Sequence, residues 1–140
     1  WKEVADINHQ GSMYAKHNLG FTYQNGLNGL NQSYSEAFFW YLKASNQGLA
    51  NSSYNLGRMY EYGLGMQTSH VMAKSLYIKT MTQEDTGPAA AKEAFERLGV
   101  LTLLAMNQQV EQGTMDEEVR FRFAKMLEPW QIDEANTYFE

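Results

Sequence analysis

The sequence predicts an all-α fold, a short α-solenoid of stacked helical hairpins. Three observations predict it: an internal period of 37 and then 36 residues, apolar positions at helical spacing within each period, and only two prolines, Pro88 and Pro129, in 140 residues. A fixed period in this size range marks repeat architectures, in which each unit buries its apolar face on the next. So few prolines leave long helices unbroken.

The period is carried by many positions. Gln10-Gly11 returns as Gln47-Gly48, and Asn18-Leu19-Gly20 as Asn55-Leu56-Gly57. Tyr23 and Gly26-Leu27 return as Tyr60 and Gly63-Leu64, all at an offset of 37. Past that loop the offset is 36: Gly29, Ser33, Ala37, Tyr41, Lys43 and Gln47 return as Gly65, Ser69, Ala73, Tyr77, Lys79 and Gln83. The drop places one extra residue in the first loop, between Gly26 and Gly29, where a surface turn tolerates it.

Each unit reads as two helices. The first spans 12–25, with Ala15, Leu19, Thr22 and Tyr23 on one face. Gly26 ends it. Ser33 and Glu36 form a capping-box pair ahead of a second helix over 35–46. Ala37, Trp40, Tyr41 and Ala44 form its inward stripe, and Gly48 ends it. The second unit repeats this with helices at 51–62 and 70–81. Gly20 and Gly57 sit inside helices, at a cost of about 1 kcal/mol each relative to alanine. Their recurrence implies close helix crossings, with Ala37, Ala44 and Ala73 as the small partners.

The remainder is a degenerate third unit. Leu98-Gly99 follows Leu56-Gly57 by 42 residues, which implies about five inserted residues over 82–88. Pro88 suits the first position of a helix. Val119, Phe123, Met126 and Leu127 predict an apolar stripe on another helix, and Pro129 opens a last one with Ile132, Ala135 and Phe139 inward. A divergent terminal unit reads as a cap that closes the core. The chain is therefore divided as one domain over 1–140. Residues 1–11 are a partial N-terminal repeat helix, 12–48 repeat 1, 49–84 repeat 2, and 85–140 a degenerate repeat and C-terminal cap.

Ala15, Leu19-Gly20, Tyr23, Gly26, Ala37, Trp40-Tyr41, Lys43-Ala44 and Gly48 together resemble the Sel-like repeat family, a relative of the tetratricopeptide repeats. Leu56-Gly57, Met59-Tyr60, Gly63-Leu64-Gly65, Ala73, Tyr77 and Lys79 match the pattern again. The resemblance covers 10–79. It implies a right-handed superhelix with first helices on the concave side and second helices on the convex side. It also implies an adaptor or scaffold module binding other proteins. In bacteria the family includes immunity proteins that hold a cognate toxin inactive, often in the periplasm.

Composition narrows the partners. No cysteine is present, which excludes disulfides and thiolate metal sites. The net charge is −5 with no Lys/Arg cluster, so a nucleic-acid partner has no electrostatic support. The longest apolar stretch, 100–106, is broken by Thr102 and is far below the ~20 residues of a membrane span. The chain starts at Trp1 rather than Met, which favours removal of a secretory signal or excision from a longer chain. The absence of cysteine fits a reducing or an oxidising compartment equally well, so the location stays open, with periplasmic or secreted favoured over cytoplasmic.

No catalytic constellation emerges. His9, His17 and His70 lack zinc-ligand spacing and read as surface or packed side chains. Gly63-Leu64-Gly65 lacks the strand and the third glycine of a phosphate loop and reads as a repeat turn. Asp116, Glu117 and Glu118 read as the acidic start of a helix. Some cysteine-rich members of the resembled family have been linked to β-lactam hydrolysis. With no cysteine and no Ser-x-x-Lys motif here, that link does not carry over. In the aromatic run 38–41, Trp40 and Tyr41 fit the core, so Phe38 or Phe39 must meet a neighbouring helix or a partner.

The functional expectation is a non-catalytic protein-binding module without cofactor or metal, and an immunity protein as a subtype. The alternative is a structural or adaptor piece of a longer scaffold, with a hydrolase behind both. If Leu19, Tyr23, Leu56 and Tyr60 face the core, then His17, Phe21 and Gln24, at i, i+4 and i+7, line the groove. Tyr54, Arg58 and Glu61 take the same places one repeat later, with Tyr62 at the rim. Aromatic residues and arginine dominate interface hot spots. The competing reading packs Phe21 and Tyr54 against a neighbouring first helix. About seven helices and no substantial β-structure are expected, which far-UV circular dichroism of the purified chain measures directly.

Overall fold

A computed structural model describes residues 9–84 and 86–138. The side chains of 9–11 lie outside what is described, as does the partial repeat helix expected over 1–8. Among the described residues there are seven helices and no strand. They are α1 (His9–Asn25), α2 (Tyr34–Asn46), α3 (Ala50–Tyr62), α4 (His70–Thr82), α5 (Pro88–Glu111), α6 (Glu117–Ala124) and α7 (Pro129–Thr137). The all-α repeat fold is as expected. The chain forms two compact units, 1–94 and 95–140, which divide within α5.

In the first unit each helix packs on the next, so α1 and α2 form one hairpin and α3 and α4 another. The core joins them: Ala37 and Tyr41 of α2 cluster with Leu56 and Met59 of α3. The two hairpins close their loops with the same bonds. The Leu27 N–H donates to the Thr22 carbonyl at 3.0 Å, and Leu64 to Met59 at 2.9 Å. Ser33 donates to Tyr23 at 2.8 Å, and Ser69 to Tyr60 at 2.9 Å. The residue added in the first loop is Asn28, which has no counterpart in the second. It takes φ +54°, a left-handed conformation that asparagine tolerates better than most residues.

Those loop bonds correct the capping expectation. Ser33 Oγ accepts from the Glu36 N–H at 3.2 Å, as expected. The reciprocal bond from Glu36 is displaced, because the Ser33 N–H is already used by Tyr23. Ser69 caps α4 in the same half-box, accepting from the Met72 N–H at 3.3 Å. A second difference lies at Gly11, which is helical within α1, whereas Gly48 adopts φ +106° and ends the hairpin.

Gly20 and Gly57 do sit at close crossings, but the group that meets them is not alanine. A Cβ on Gly20 would lie 2.6 Å from the Tyr41 ring, and one on Gly57 2.6 Å from the Tyr77 ring. Both tyrosines are fully buried, as are Ala37, Ala44 and Ala73. A buried tyrosine removes roughly 150–250 Å² from water. At about 25 cal/mol per Å² that is worth up to about 4–6 kcal/mol, against about 1 kcal/mol for the helical glycine that admits it.

Pro88 opens α5, and in the second unit Asp116 caps α6, accepting from the Glu118 N–H at 2.8 Å. Gly99 keeps its place at a crossing, but a glutamine replaces the tyrosine. A Cβ there would lie 2.8 Å from Gln131 Nε2. That amide donates to the Glu96 carbonyl at 2.9 Å, and its oxygen accepts from the Glu128 N–H at 2.8 Å. The stripe expected at Val119, Phe123, Met126 and Leu127 is split, with Phe123 and Leu127 half-buried and the other two exposed. α6 ends at Ala124, which is buried, so helical register does not extend to Met126 and Leu127. Val119 and Met126 are exposed, while Leu127 lies against Gly99. Ala135 is buried as expected, Ile132 is half-buried, and Phe139 lies outside the described residues.

Gly57→Leu is expected to lower the melting temperature. Overpacking at about 1–3 kcal/mol exceeds the helix propensity gained, up to about 1 kcal/mol. Thermal unfolding of the variant beside the parent chain reads the sign.

Candidate functional site

The candidate surface lies on the first helices, α1 and α3. Each buried tyrosine is held by three residues of its own first helix. Tyr41 lies on Gly20, its ring 5.3 Å from the His17 ring, and its hydroxyl donates to Gln24 Oε1 at 2.7 Å. Tyr77 lies on Gly57, its ring 5.6 Å from the Tyr54 ring, and its hydroxyl donates to Glu61 Oε1 at 2.7 Å. The two sets match position by position. Burial pushes the Tyr41 phenol up to about 12, with the nearby Asn55 side chain pulling the other way. That hydroxyl is therefore a hydrogen-bond donor at any physiological pH.

Four of the seven residues expected to line the groove thus hold the fold. His17 also reaches the next repeat, sharing a 2.7 Å hydrogen bond with Ser52 Oγ of α3. A serine beside a histidine is the geometry of an activated nucleophile. Here Ser52 is fully buried and the imidazole is tilted against the Tyr41 ring, so the pair clamps α1 to α3. Gln24 and Tyr54 are half-buried, and Glu61 is 1% exposed. The other three are open. Phe21, Arg58 and Tyr62 are exposed, with the Arg58 guanidinium 5.9 Å from the Tyr62 ring centre.

The exposed stripe is rotated from the expected one. Tyr14, Asn18, Phe21 and Asn25 are all exposed, at i, i+4, i+7 and i+11 of α1. At 100° per residue this line lies about 60° around the helix from the line through His17, Phe21 and Gln24. On α3 the same places hold Asn51, Asn55, Arg58 and Tyr62. Tyr14 and the asparagines were missed because the line was set from Leu19 and Tyr23 alone. The glycine at 20 was the available signal, since it marks where the next helix comes in.

Among the described residues no group of three metal-ligating side chains gathers, and no helix is long and apolar enough to cross a membrane. A depression of ≈ 510 Å³ in the second unit is lined by Leu104, Asn107, Arg120 and Asn136 among others. Arg120 is engaged there by Asn107 and Glu117, both at 3.2 Å.

A family model described as the Sel1 repeat matches residues 14–49 and 50–80, the two hairpins just described. Residues 14–80 are two Sel1 repeats. The Sel1 repeat protein from Oxalobacter formigenes, a crystal structure, shares the fold with a TM-score of 0.52 and 24% identity. The alignment covers 96% of this chain and 49% of that one, so the chain spans about half its length. No curated protein matches the chain. Sel1 repeats generally mediate protein–protein interaction, and proteins built from them are typically non-catalytic scaffolds.

The clamp between the Sel1 repeats makes stability depend on pH. Burial lowers the His17 pKa below its ordinary 6.5, and that of His70 likewise. The unfolded chain then takes up protons first as pH falls. The contribution is complete above about 6.5 and is lost progressively below it. The melting temperature should fall between about pH 7 and 5. His17→Gln should flatten part of that slope and leave the share of His70, which thermal scans at stepped pH resolve.

Proposed function

We propose that this chain is a non-catalytic protein-binding module that takes its partner on the outward line of its first helices. One observation carries the reading. Two repeat-related helices carry the same line, exposed at every place except the half-buried Asn55, and Tyr14, Phe21, Arg58 and Tyr62 hold four of its eight places. Tyrosine, phenylalanine and arginine supply large contact area and a directed charge, the chemistry of interface hot spots. The exposed Asn18, Asn25 and Asn51 offer donors and acceptors to a partner backbone.

The finer role inferred is an immunity protein that neutralises a cognate bacterial toxin. It rests on the family resemblance and on a net charge of −5, suited to a basic toxin domain. An adaptor role shares the same surface. A pull-down with the intact chain, read by mass spectrometry, separates the two by the partner recovered.

With that partner in hand, alanine at Phe21, Arg58 and Tyr62 is expected to cost about 2 kcal/mol or more of binding for at least one of them, with the melting temperature nearly kept. Tyr54→Ala should instead lose stability, because its ring packs on Tyr77. Unchanged affinity in all three exposed variants would move the partner elsewhere.

A further inference from the structure

We infer that the second helices, α2 and α4, form another docking face, one that fits a protein surface with an apolar centre and acidic surroundings. This goes beyond the reading of the first helices and does not rest on it. On α4, Val71, Ser75, Ile78 and Thr82 are all exposed, at i, i+4, i+7 and i+11. On α2 the equivalent places hold Ser35, Phe39, Leu42 and Asn46, again all exposed. Val71 is 78% exposed and Ile78 51%, and Met72 is exposed beside them. Single exposed apolar residues are ordinary, but a line of them on neighbouring helices marks an interaction site. The two helices are joined at their ends, where Gln83 Nε2 donates to the Ser45 carbonyl at 3.1 Å.

Charge selects the occupant. Lys74 and Lys79 lie about 60° to one side and 80° to the other of Val71 on α4, which has no acidic residue. Lys43 on α2 lies 4.6 Å from the centre of the exposed Phe39 ring, and Glu36 is the acidic residue of that helix. The face is therefore net positive in a chain of net charge −5. Lysines in a last turn also suit the helix dipole, which accounts for Lys43 and Lys79 but not for the apolar line between them. The same face of a second copy is disfavoured, because it would set lysines against lysines. An acidic rim around an apolar centre answers both features.

Two helical peptides of equal length serve as probes, each with a leucine and phenylalanine face, one flanked by glutamates and the other by lysines. In NMR titrations of the whole chain, the glutamate peptide is expected to shift amides of α2 and α4. Its affinity should fall about tenfold between about 0.05 and 0.5 M salt, as screening predicts. Lys43→Glu with Lys79→Glu should reverse the preference, and Val71→Asp should weaken binding at unchanged melting temperature, since that side chain is exposed. Equal response to both peptides, no response to either, or shifts confined to α1 and α3 would overturn the proposal. So would tighter binding to vesicles of phosphatidylglycerol and phosphatidylcholine, which would assign the face to a lipid surface.

Discussion

The tyrosine ring laid on a helical glycine is the contact from which the rest of the repeat follows. Gly20 and Gly57 bring the paired helices close enough for Tyr41 and Tyr77 to be fully buried. Once a ring is there, its hydroxyl needs an acceptor and its faces need cover. The residue four positions on from the glycine provides the acceptor, Gln24 or Glu61, and the residue three positions back provides the cover, His17 or Tyr54. One crossing thus decides the duty of several side chains on each first helix.

That arrangement divides the first helix sharply into a structural arc and an open arc. Side chains such as Gln24 and Glu61 read as recognition chemistry in isolation, being polar and regularly spaced. Their oxygens are spent inside the hairpin, so what remains for a partner is the next line around the helix. The same division explains why a serine–histidine pair arises with its serine closed to solvent. His17 and Ser52 join successive repeats, with the Ser52 hydroxyl fully buried between them.

The second unit shows which part of the device survives divergence. Gly99 is retained, and the ring is replaced by the Gln131 amide, whose hydrogen-bonding groups are met by Glu96 and Glu128. Close approach is preserved while apolar area is given up for hydrogen bonds. The Arg97–Glu134 ion pair at 2.7 Å adds a further link between α5 and α7.

The periodicity of the chain determined its helical-repeat class, the two hairpins, the glycine crossings and the extra residue in the first loop, because these depend on local spacing and backbone conformation. Asn28 is legible in this way: an offset that drops by one residue must put an insertion somewhere, and asparagine accepts the left-handed turn. The partners of those glycines, the direction of the exposed line and the fate of Val119 and Met126 were decided only by tertiary structure. Each depends on which neighbour arrives and at what angle. A spacing rule fixes a helical face only to within the width of that face, and a ring inserted at Gly20 takes up an arc that no residue of α1 by itself announces.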